Sequence, residues 1–364
     1  MNRQADTVLI TGSSGFIGHR LMRELARDYR VVGLDLKETE VPEGARFVPI
    51  DLTSEEGVGK ALRDVRGHEG PRIASVIHLA AYFDLSGEDD PKYDEVTVEG
   101  TRRLLHGLRD LDVEQFVFSS TMLVHKAGSP GTTITENRPL DPKLPYRASK
   151  IRTEQMIREE RGDLKAVFLR PGGVYSNRCE NAFLAHQIAR IFEGRLKGHM
   201  YPGDLRTGQS FLHLEDLAEA VKRVIDRRDG LPPETAILLG EPAAIGYGDL
   251  QGRIGELIRG TPWQTWQIPK VMAKTGAWAE DEVLGGEPFT KPWMADIADD
   301  HYAIGISRAR ELLGWEPKHR LSDALPRMIE NLKSDPDGWY RANKIDPARL
   351  ERGRGPSDRV LDSC

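Results

Sequence analysis

The stretch Thr11-Gly12-Ser13-Ser14-Gly15-Phe16-Ile17-Gly18 constrains this chain more than any other. It follows Thr7-Val8-Leu9-Ile10, a short β-branched run that reads as a buried strand, and it opens onto a helical pattern with Phe16, Ile17, Leu21 and Leu25 on one side. The order is strand, glycine turn, helix. Three glycines spaced three apart permit a tight turn, let a ligand reach the backbone with no Cβ in the way, and aim a helix N-terminus at a phosphate. The usual dinucleotide fingerprint has its second glycine two residues after the first rather than three. Taken alone, the pattern also describes a purely structural turn, so other residues must decide.

The next strand, Arg30-Val31-Val32-Gly33-Leu34-Asp35, ends in a carboxylate. An acid there accepts hydrogen bonds from both ribose hydroxyls of a dinucleotide and repels the extra phosphate of NADP, which favours NAD. Lys37 partly offsets that repulsion, and a solvated turn acid is the plain alternative. Arg46 to Ile50 makes a third strand and delivers Asp51-Leu52, an acid placed for an adenine amino group. Ser54-Glu55-Glu56 reads as a helix start. Ser75 to Ala81 is a fourth strand ending in small residues, where a chain passing beneath a cofactor needs no bulk. A helix from about Asp90 to Asp110 precedes a fifth strand, Gln115 to Thr121, that ends in hydroxyls. This alternation predicts a parallel sheet with helices on both faces and a ligand crevice beyond the carboxyl ends of its strands.

Length and charge narrow the function. A chain of 364 residues buries a core as one large domain or two unequal lobes. Its net charge of -6 comes from 57 acids interspersed among 51 bases, so no field for nucleic acid or an anionic membrane is expected. Cys179 and Cys364 form neither a disulfide framework nor a zinc spacing, no leader is visible before the first strand, and no run of about eighteen apolar residues occurs. A cytoplasmic protein without a membrane segment is expected. Leu164 to Leu169 is a sixth strand, closed by Arg170-Pro171-Gly172-Gly173. The pattern then leaves the sheet, with a helix at Ala182 to Phe192, returns at Phe211-Leu212-His213-Leu214 and the helix after it, and leaves again. The expected division is a dinucleotide-binding domain of residues 1–175 and 211–231, a substrate lobe of 176–210 and 232–334, and a charged, mobile or surface-draped tail at 335–364.

Tyr146-Arg147-Ala148-Ser149-Lys150 sets a phenol and an ammonium one helical turn apart. A free phenol has a pKa near 10 and is a poor base at neutral pH; a neighbouring ammonium stabilises the phenolate and makes proton exchange with a carbinol feasible. Thr121, at the end of the neighbouring strand, is placed to hydrogen-bond the same substrate oxygen. Trp263, Trp266, Trp278 and Trp293 either line an apolar pocket or form the small lobe's core. His186, His199, His213 and His301 are scattered, and no metal is expected.

Thr11 to Gly18, Asp35, His78-Leu79-Ala80-Ala81, Val98-Glu99-Gly100-Thr101, Phe118-Ser119-Ser120-Thr121, Tyr146 to Lys150, Leu169 to Gly172, Leu214 to Ala218 and Ala309 to Pro317 together closely resemble the extended short-chain dehydrogenase/reductase superfamily, and within it the NAD-dependent epimerase/dehydratase family. The resemblance implies an α/β fold, a Rossmann-type doubly wound parallel sheet with a smaller C-terminal α/β substrate lobe. It implies NAD against Gly12, Ser14, Gly15, Phe16, Ile17, Asp35, Asp51, Leu52, Leu79, Ala80, Ala81, Ser119 and Pro171, with NADP less favoured. Tyr146 becomes the general acid/base, Lys150 the residue that holds the nicotinamide ribose and tunes Tyr146, and Thr121 the hydroxyl partner. A homodimer through the helices at about 92–110 and 146–160 is implied as well.

Departures from the family pattern bear on substrate. Met122-Leu123 stand where many sugar dehydratases carry an acid pair, which argues against a 4,6-dehydratase, since elimination needs a base at one carbon and an acid at the next. His125 replaces a common tyrosine and reads as a satisfied strand-end histidine, and Thr97 replaces a common asparagine. Gln209-Ser210 occupy the place of a diphosphate-binding arginine; Arg206 and Arg308, with Tyr82, are the candidates left for substrate contact. The reading in front is an epimerase acting on a nucleotide sugar through a transient ketone. A hydroxysteroid-type dehydrogenase acting on an apolar alcohol stands beside it, and a non-catalytic NAD(H) sensor stands further off because Thr121, Tyr146 and Lys150 are all retained.

Overall fold

The computed structural model describes residues 6–84, 86–194, 196–273 and 291–353. Strand β1 (Thr7–Thr11) is buried along its whole length. Its side chains alternate between two cores, Val8 and Ile10 in one and Leu9 in the other, as a strand covered on both faces requires. It lies between β2 (Arg30–Asp35) and β4 (Ser75–His78), parallel to both, with Ile10 opposite Gly33 on one side and Ile77 on the other. Beyond β2 comes β3 (Ala45–Pro49); beyond β4 come β5 (Gln115–Ser119), β6 (Lys165–Pro171) and β7 (Glu234–Leu239). The parallel order β7-β6-β5-β4-β1-β2-β3 is that of a Rossmann-type α/β fold. Its progression reverses between β1 and β4, which opens a crevice beyond their carboxyl ends.

Helices cover both faces. Helix α1 (Phe16–Leu25) buries Leu21 and Leu25 in one core. Helices α2 (Glu55–Glu69), α3 (Glu99–Gly107) and α4 (Pro145–Glu160) bury Leu62, Leu104 and Ile157 in the other. Ser54 caps α2, its Oγ accepting the Gly57 N–H at 3.1 Å, as the sequence predicts. Helix α5 (Ala182–Glu193) belongs to a third core, while α6 (Leu214–Asp226) returns to the sheet and packs Val221 and Val224 beside α1. No described helix is long and apolar enough to cross a membrane.

Four expectations are corrected. The helix expected from Asp90 starts with a wider π-helical turn, Tyr93–Val98, before α3. Phe211–His213 does not rejoin the large sheet but pairs in parallel with Gly173–Tyr175. The segment after residue 232 still belongs to the sheet, because the apolar run Ala236 to Leu239 in β7 covers the edge that β6 would otherwise expose. Helix α7 (Tyr247–Arg259) lies in the lobe, whereas α8 (Ser307–Leu313) packs back on the sheet with the fully buried Trp315. Finally, residues 335–345 are not draped: α9 (Leu321–Ser334) runs into α10 (Pro336–Ala342), and Trp339, Tyr340 and Ile345 are buried with Leu184, Ile188 and Met328. Three apolar side chains spaced through a charged segment suffice to anchor it against the lobe's core. Trp278, Cys364 and the tail after residue 353 lie outside the described residues.

Candidate active site

The crevice begins at the glycine turn. Gly12 has φ +70°, and a Cβ there would come within 2.8 Å of the Ala80 N, so only glycine lets the turn after β1 touch the chain leaving β4. A Cβ on Gly18 would collide with the Gly12 carbonyl oxygen, which fixes α1 against the turn. Gly15 is exposed at the crown, and it precedes α1 without offering a side-chain cap. The first-turn N–H groups of a helix lack intrahelical acceptors and favour an anion. Asp35 stands beside this turn, accepting the Ser14 N–H at 3.0 Å and the Leu36 N–H at 2.7 Å. An uncapped helix N-terminus, a glycine cradle and an adjacent carboxylate are the donor and acceptor set that a pyrophosphate-linked dinucleotide requires, so the residues fit that group. Asp51 accepts the Thr53 N–H and hydroxyl at 2.9 and 2.7 Å, hydrogen bonds that hold its carboxyl below the usual range. Leu52 is buried beside it, and Pro171 closes β6.

His78 supports the floor, a role that sequence reading missed. It is fully buried at the end of β4. Thr101 Oγ1 donates to the Thr97 carbonyl at 2.5 Å and therefore accepts from His78 Nε2–H at 2.8 Å; His78 Nδ1 then accepts the Thr11 hydroxyl at 2.6 Å. Thr11 Oγ1 in turn accepts the Ala80 N–H at 3.3 Å. Burial first, and the Lys150 charge second, push the His78 pKa down to about 3, so the ring is a neutral strut. It ties β1, β4 and α3 to Leu79-Ala80-Ala81. Thr97 Oγ1 accepts the Tyr82 N–H at 3.0 Å, so threonine anchors this loop in asparagine's place. The alternation of threonines with a strand-end histidine was the available signal.

Helix α4 presents Tyr146, Lys150 and Glu154 one turn apart each. Lys150 is 3% exposed, donates to the Ser119 carbonyl at 2.8 Å, and lies 4.8 Å from the Phe118 ring centroid and 5.9 Å from that of Tyr146. Burial lowers its pKa to about 7, with Glu154 opposing. Tyr146 has Phe83 edge-on at 4.9 Å, and its hydroxyl has no partner among the described residues. Burial, with the Tyr93 phenol adding to it, raises the Tyr146 pKa above the ordinary phenol value. Burial thus acts against the lowering expected from the Lys150 ammonium, which is itself bonded to the Ser119 carbonyl. Thr121 Oγ1 accepts the Leu123 N–H at 3.2 Å, leaving its O–H to donate. Deeper in, Glu154 holds Arg170 bidentately at 2.9 and 2.5 Å, and Arg170 Nη1 donates to His125 Nε2 at 3.1 Å. His125 Nδ1 bonds the Arg138 carbonyl at 2.8 Å, so His125 is satisfied, as its sequence reading expects.

The three candidate substrate residues have separate surroundings. Tyr82 bonds Asp90 at 2.8 Å beside the crevice. Arg206 is clamped by Asp204 at 2.6 Å and lines a different cleft, about 610 Å³, with Pro130, Thr133, Asp249 and His301. Arg308 donates to the Ala236 carbonyl on β7 at 3.1 Å, away from Tyr146 and Lys150 on α4. Of the tryptophans, Trp263 stacks on His199 at 3.8 Å in the lobe, and Trp293 reaches the loop after β4, donating to the Ser86 carbonyl at 2.8 Å.

His213, Glu215 and His319 approach one another. The two rings stack at 4.2 Å and 24°, and His213 Nδ1 accepts the Glu215 N–H at 3.2 Å, which keeps the ring proton on Nε2. Stacked rings with that tautomer are poorly set for a shared cation.

Comparison with known proteins agrees with this geometry. The NAD dependent epimerase/dehydratase family profile matches residues 8–240. The chain is 27% identical to a UDP-glucose 4-epimerase of Mycolicibacterium smegmatis, over 88% of this chain and 97% of that protein. It is 30% identical to human short-chain dehydrogenase/reductase family 42E member 1, over 60% of this chain and 57% of that one. The solved UDP-glucose 4-epimerase of Thermus thermophilus, in complex with NAD, superposes with a TM-score of 0.67 at 25% identity, covering 90% of this chain and 99% of that one. With the profile spanning the glycine turn, helix α4 and all seven strands of the large sheet, the chain belongs to the NAD-dependent epimerase/dehydratase family.

Proposed function

We propose that this chain catalyses NAD-dependent hydride transfer at a secondary carbinol, as an epimerase that passes through a transient ketone on a nucleotide sugar. The observation that carries the reading is the Tyr146 hydroxyl, without a hydrogen-bond partner among the described residues, one turn from the buried Lys150, which bonds the Ser119 carbonyl at the end of β5. Gly12, Ser14, Gly15, Phe16 and Ile17 would hold the pyrophosphate, Asp35 the adenosine ribose, Asp51 and Leu52 the adenine, and Leu79, Ala80, Ala81, Ser119, Lys150 and Pro171 the nicotinamide half. Bound NAD would supply the hydride acceptor and, when oxidised, a positive charge near the phenol.

The chain's own residues handle the proton. In the ketone-reducing direction the Tyr146 phenol, kept neutral at neutral pH by its raised pKa, donates to the carbonyl oxygen. In the oxidising direction Tyr146 takes the hydroxyl proton, and Lys150 supports the phenolate in proportion to its own protonation. Thr121 donates its free O–H to the same substrate oxygen and fixes its orientation. Phe83 screens Tyr146 on one side.

A second reading, a dehydrogenase of an uncharged alcohol, is favoured by the commitment of Arg206 to Asp204 and Arg308 to Ala236. Purified enzyme with UDP-glucose separates the two. An epimerase forms UDP-galactose without accumulating NADH, whereas a dehydrogenase shows no such conversion and releases NADH in proportion to an apolar alcohol. Tyr146→Phe abolishes either activity; unchanged turnover in that variant would refute Tyr146 as the proton-exchanging group, and NAD binding without turnover of any carbinol by the wild type would leave a sensor.

A further inference from the structure

Tyr146 stands in the first turn of α4, and that turn has no side-chain cap: Leu144 precedes it and Pro145 opens it. Helix ends fray, because their first N–H groups have no intrahelical acceptor. A catalytic oxygen must nevertheless be held to about 0.5 Å.

Arg147, the next residue, is 2% exposed, far more buried than surface arginines. Its Nη2 donates to Asp300 Oδ2 at 3.1 Å, and its guanidinium carbon lies 5.6 Å from the Tyr302 ring centroid. Tyr302 Oη donates to the His125 carbonyl at 3.3 Å, four residues past Thr121. The receiving segment is itself fixed on two sides. Gly128 N donates to the His301 carbonyl at 2.8 Å and Ile134 N to that of Ala303 at 2.7 Å, while Tyr302 N donates to the Gly208 carbonyl at 2.8 Å. Burying a guanidinium is costly, and a hydrophobic side chain of similar volume in its place is often as stabilising or more so. Stability alone therefore gives no reason for an arginine here, whereas a directional anchor for the catalytic turn does.

We propose that Arg147 is a positioning residue: by the Arg147–Asp300 ion pair, the lobe segment 300–304 holds the uncapped turn that carries Tyr146. The proposal rests on Tyr146 being the proton-exchanging group, so its test has a readout independent of turnover.

Four full-length variants serve, Arg147→Met, Arg147→Lys, Asp300→Asn and Tyr302→Phe; Asp300 is partly exposed, so its amide variant keeps shape and folding. Amide hydrogen exchange at Ala148, whose N–H donates to the Leu144 carbonyl at 2.8 Å, and at the next two residues should be at least about tenfold faster in Arg147→Met and Asp300→Asn, as local opening becomes easier. On the carbinol that the wild type converts, kcat should fall about 10- to 100-fold. KM and NAD affinity should stay within a few-fold, and Arg147→Lys should recover most of both losses. Unchanged exchange and unchanged kcat in Asp300→Asn overturn the proposal. So does a parallel loss of thermal stability, NAD affinity and kcat, which marks a general packing role. If the wild type converts no carbinol and Tyr146→Phe is silent, the catalytic reading fails, and exchange at 148–150 still decides whether the tie exists.

Discussion

Replacing Lys150 with methionine should stabilise the cofactor-free protein at neutral pH and lose that advantage in alkali. Lys150 is 3% exposed, and burial brings its pKa from 10.5 to about 7. A lysine whose folded pKa lies below its unfolded value binds fewer protons folded than unfolded between the two, so stability rises with pH across that window. Below about pH 7 both states carry the proton, and the folded state bears the whole cost of the buried ammonium. At 1.36 kcal/mol per pH unit, the gap between 10.5 and about 7 corresponds to about 5 kcal/mol. Methionine does not titrate, so the difference between wild type and variant isolates Lys150 while all other groups cancel. Loss of the Ser119 hydrogen bond and of the contact with Phe118 adds a nearly constant offset. The slope therefore carries the test: between pH 7 and 9 the variant's advantage should shrink by roughly 2.3 kcal/mol. Urea unfolding of both proteins without NAD at pH 6, 7, 8 and 9 measures it. Parallel stability curves would refute the argument, since they would mean that Lys150 keeps its ordinary pKa in the fold.

Two further outcomes are expected. Asp35→Ser should shift the ratio of NADP to NAD affinity toward NADP by about tenfold or more, read by fluorescence titration with each cofactor, because it removes the carboxylate that repels a 2′-phosphate; an unchanged ratio would take Asp35 off the ribose. Tyr340→Ala should destabilise the protein by about 3–5 kcal/mol, as for other large aromatic truncations in cores, and a chain ending at Ser334 should fail to fold stably. A wild-type melting temperature in that shortened chain would restore the tail as an accessory.

The sheet was legible because its strands are buried on both faces and read as apolar runs between glycines and acids, down to the carboxylate that ends β2. That Tyr146 and Lys150 stand one turn apart was legible because four-residue spacing on a helix is a geometric statement. What escaped lies in contacts between segments far apart in the chain. His78 gains its meaning from Thr11 and Thr101, and Arg147 from Asp300, 153 residues on. The π-helical turn at Tyr93–Val98 has no period of its own to find, and α10 hides Trp339 and Tyr340 among charges. The burial of Tyr146 escaped for a related reason: sequence shows the neighbouring ammonium but not the desolvation that raises the phenol's pKa.

The same distinction bears on substrate. A nucleotide sugar brings a diphosphate, whose two negative charges need cations or oriented N–H groups wherever water is excluded. Arg308 cannot turn toward the crevice without abandoning the Ala236 carbonyl on the sheet edge. Arg206 is less committed. Its ion pair with Asp204 is largely exposed, and exposed pairs are worth only about 0–1 kcal/mol, so a diphosphate could compete for it. Its position argues otherwise: it shares a cleft with His301, whose strand neighbour Tyr302 packs on Arg147 and the catalytic helix. Alternate residues of an extended segment point to opposite faces, so the Arg206 cleft and the Tyr302–Arg147 contact lie on opposite sides of segment 301–303. As they stand, neither of these two arginines is set to hold a diphosphate, whereas a dehydrogenase of an uncharged alcohol needs no such anchor.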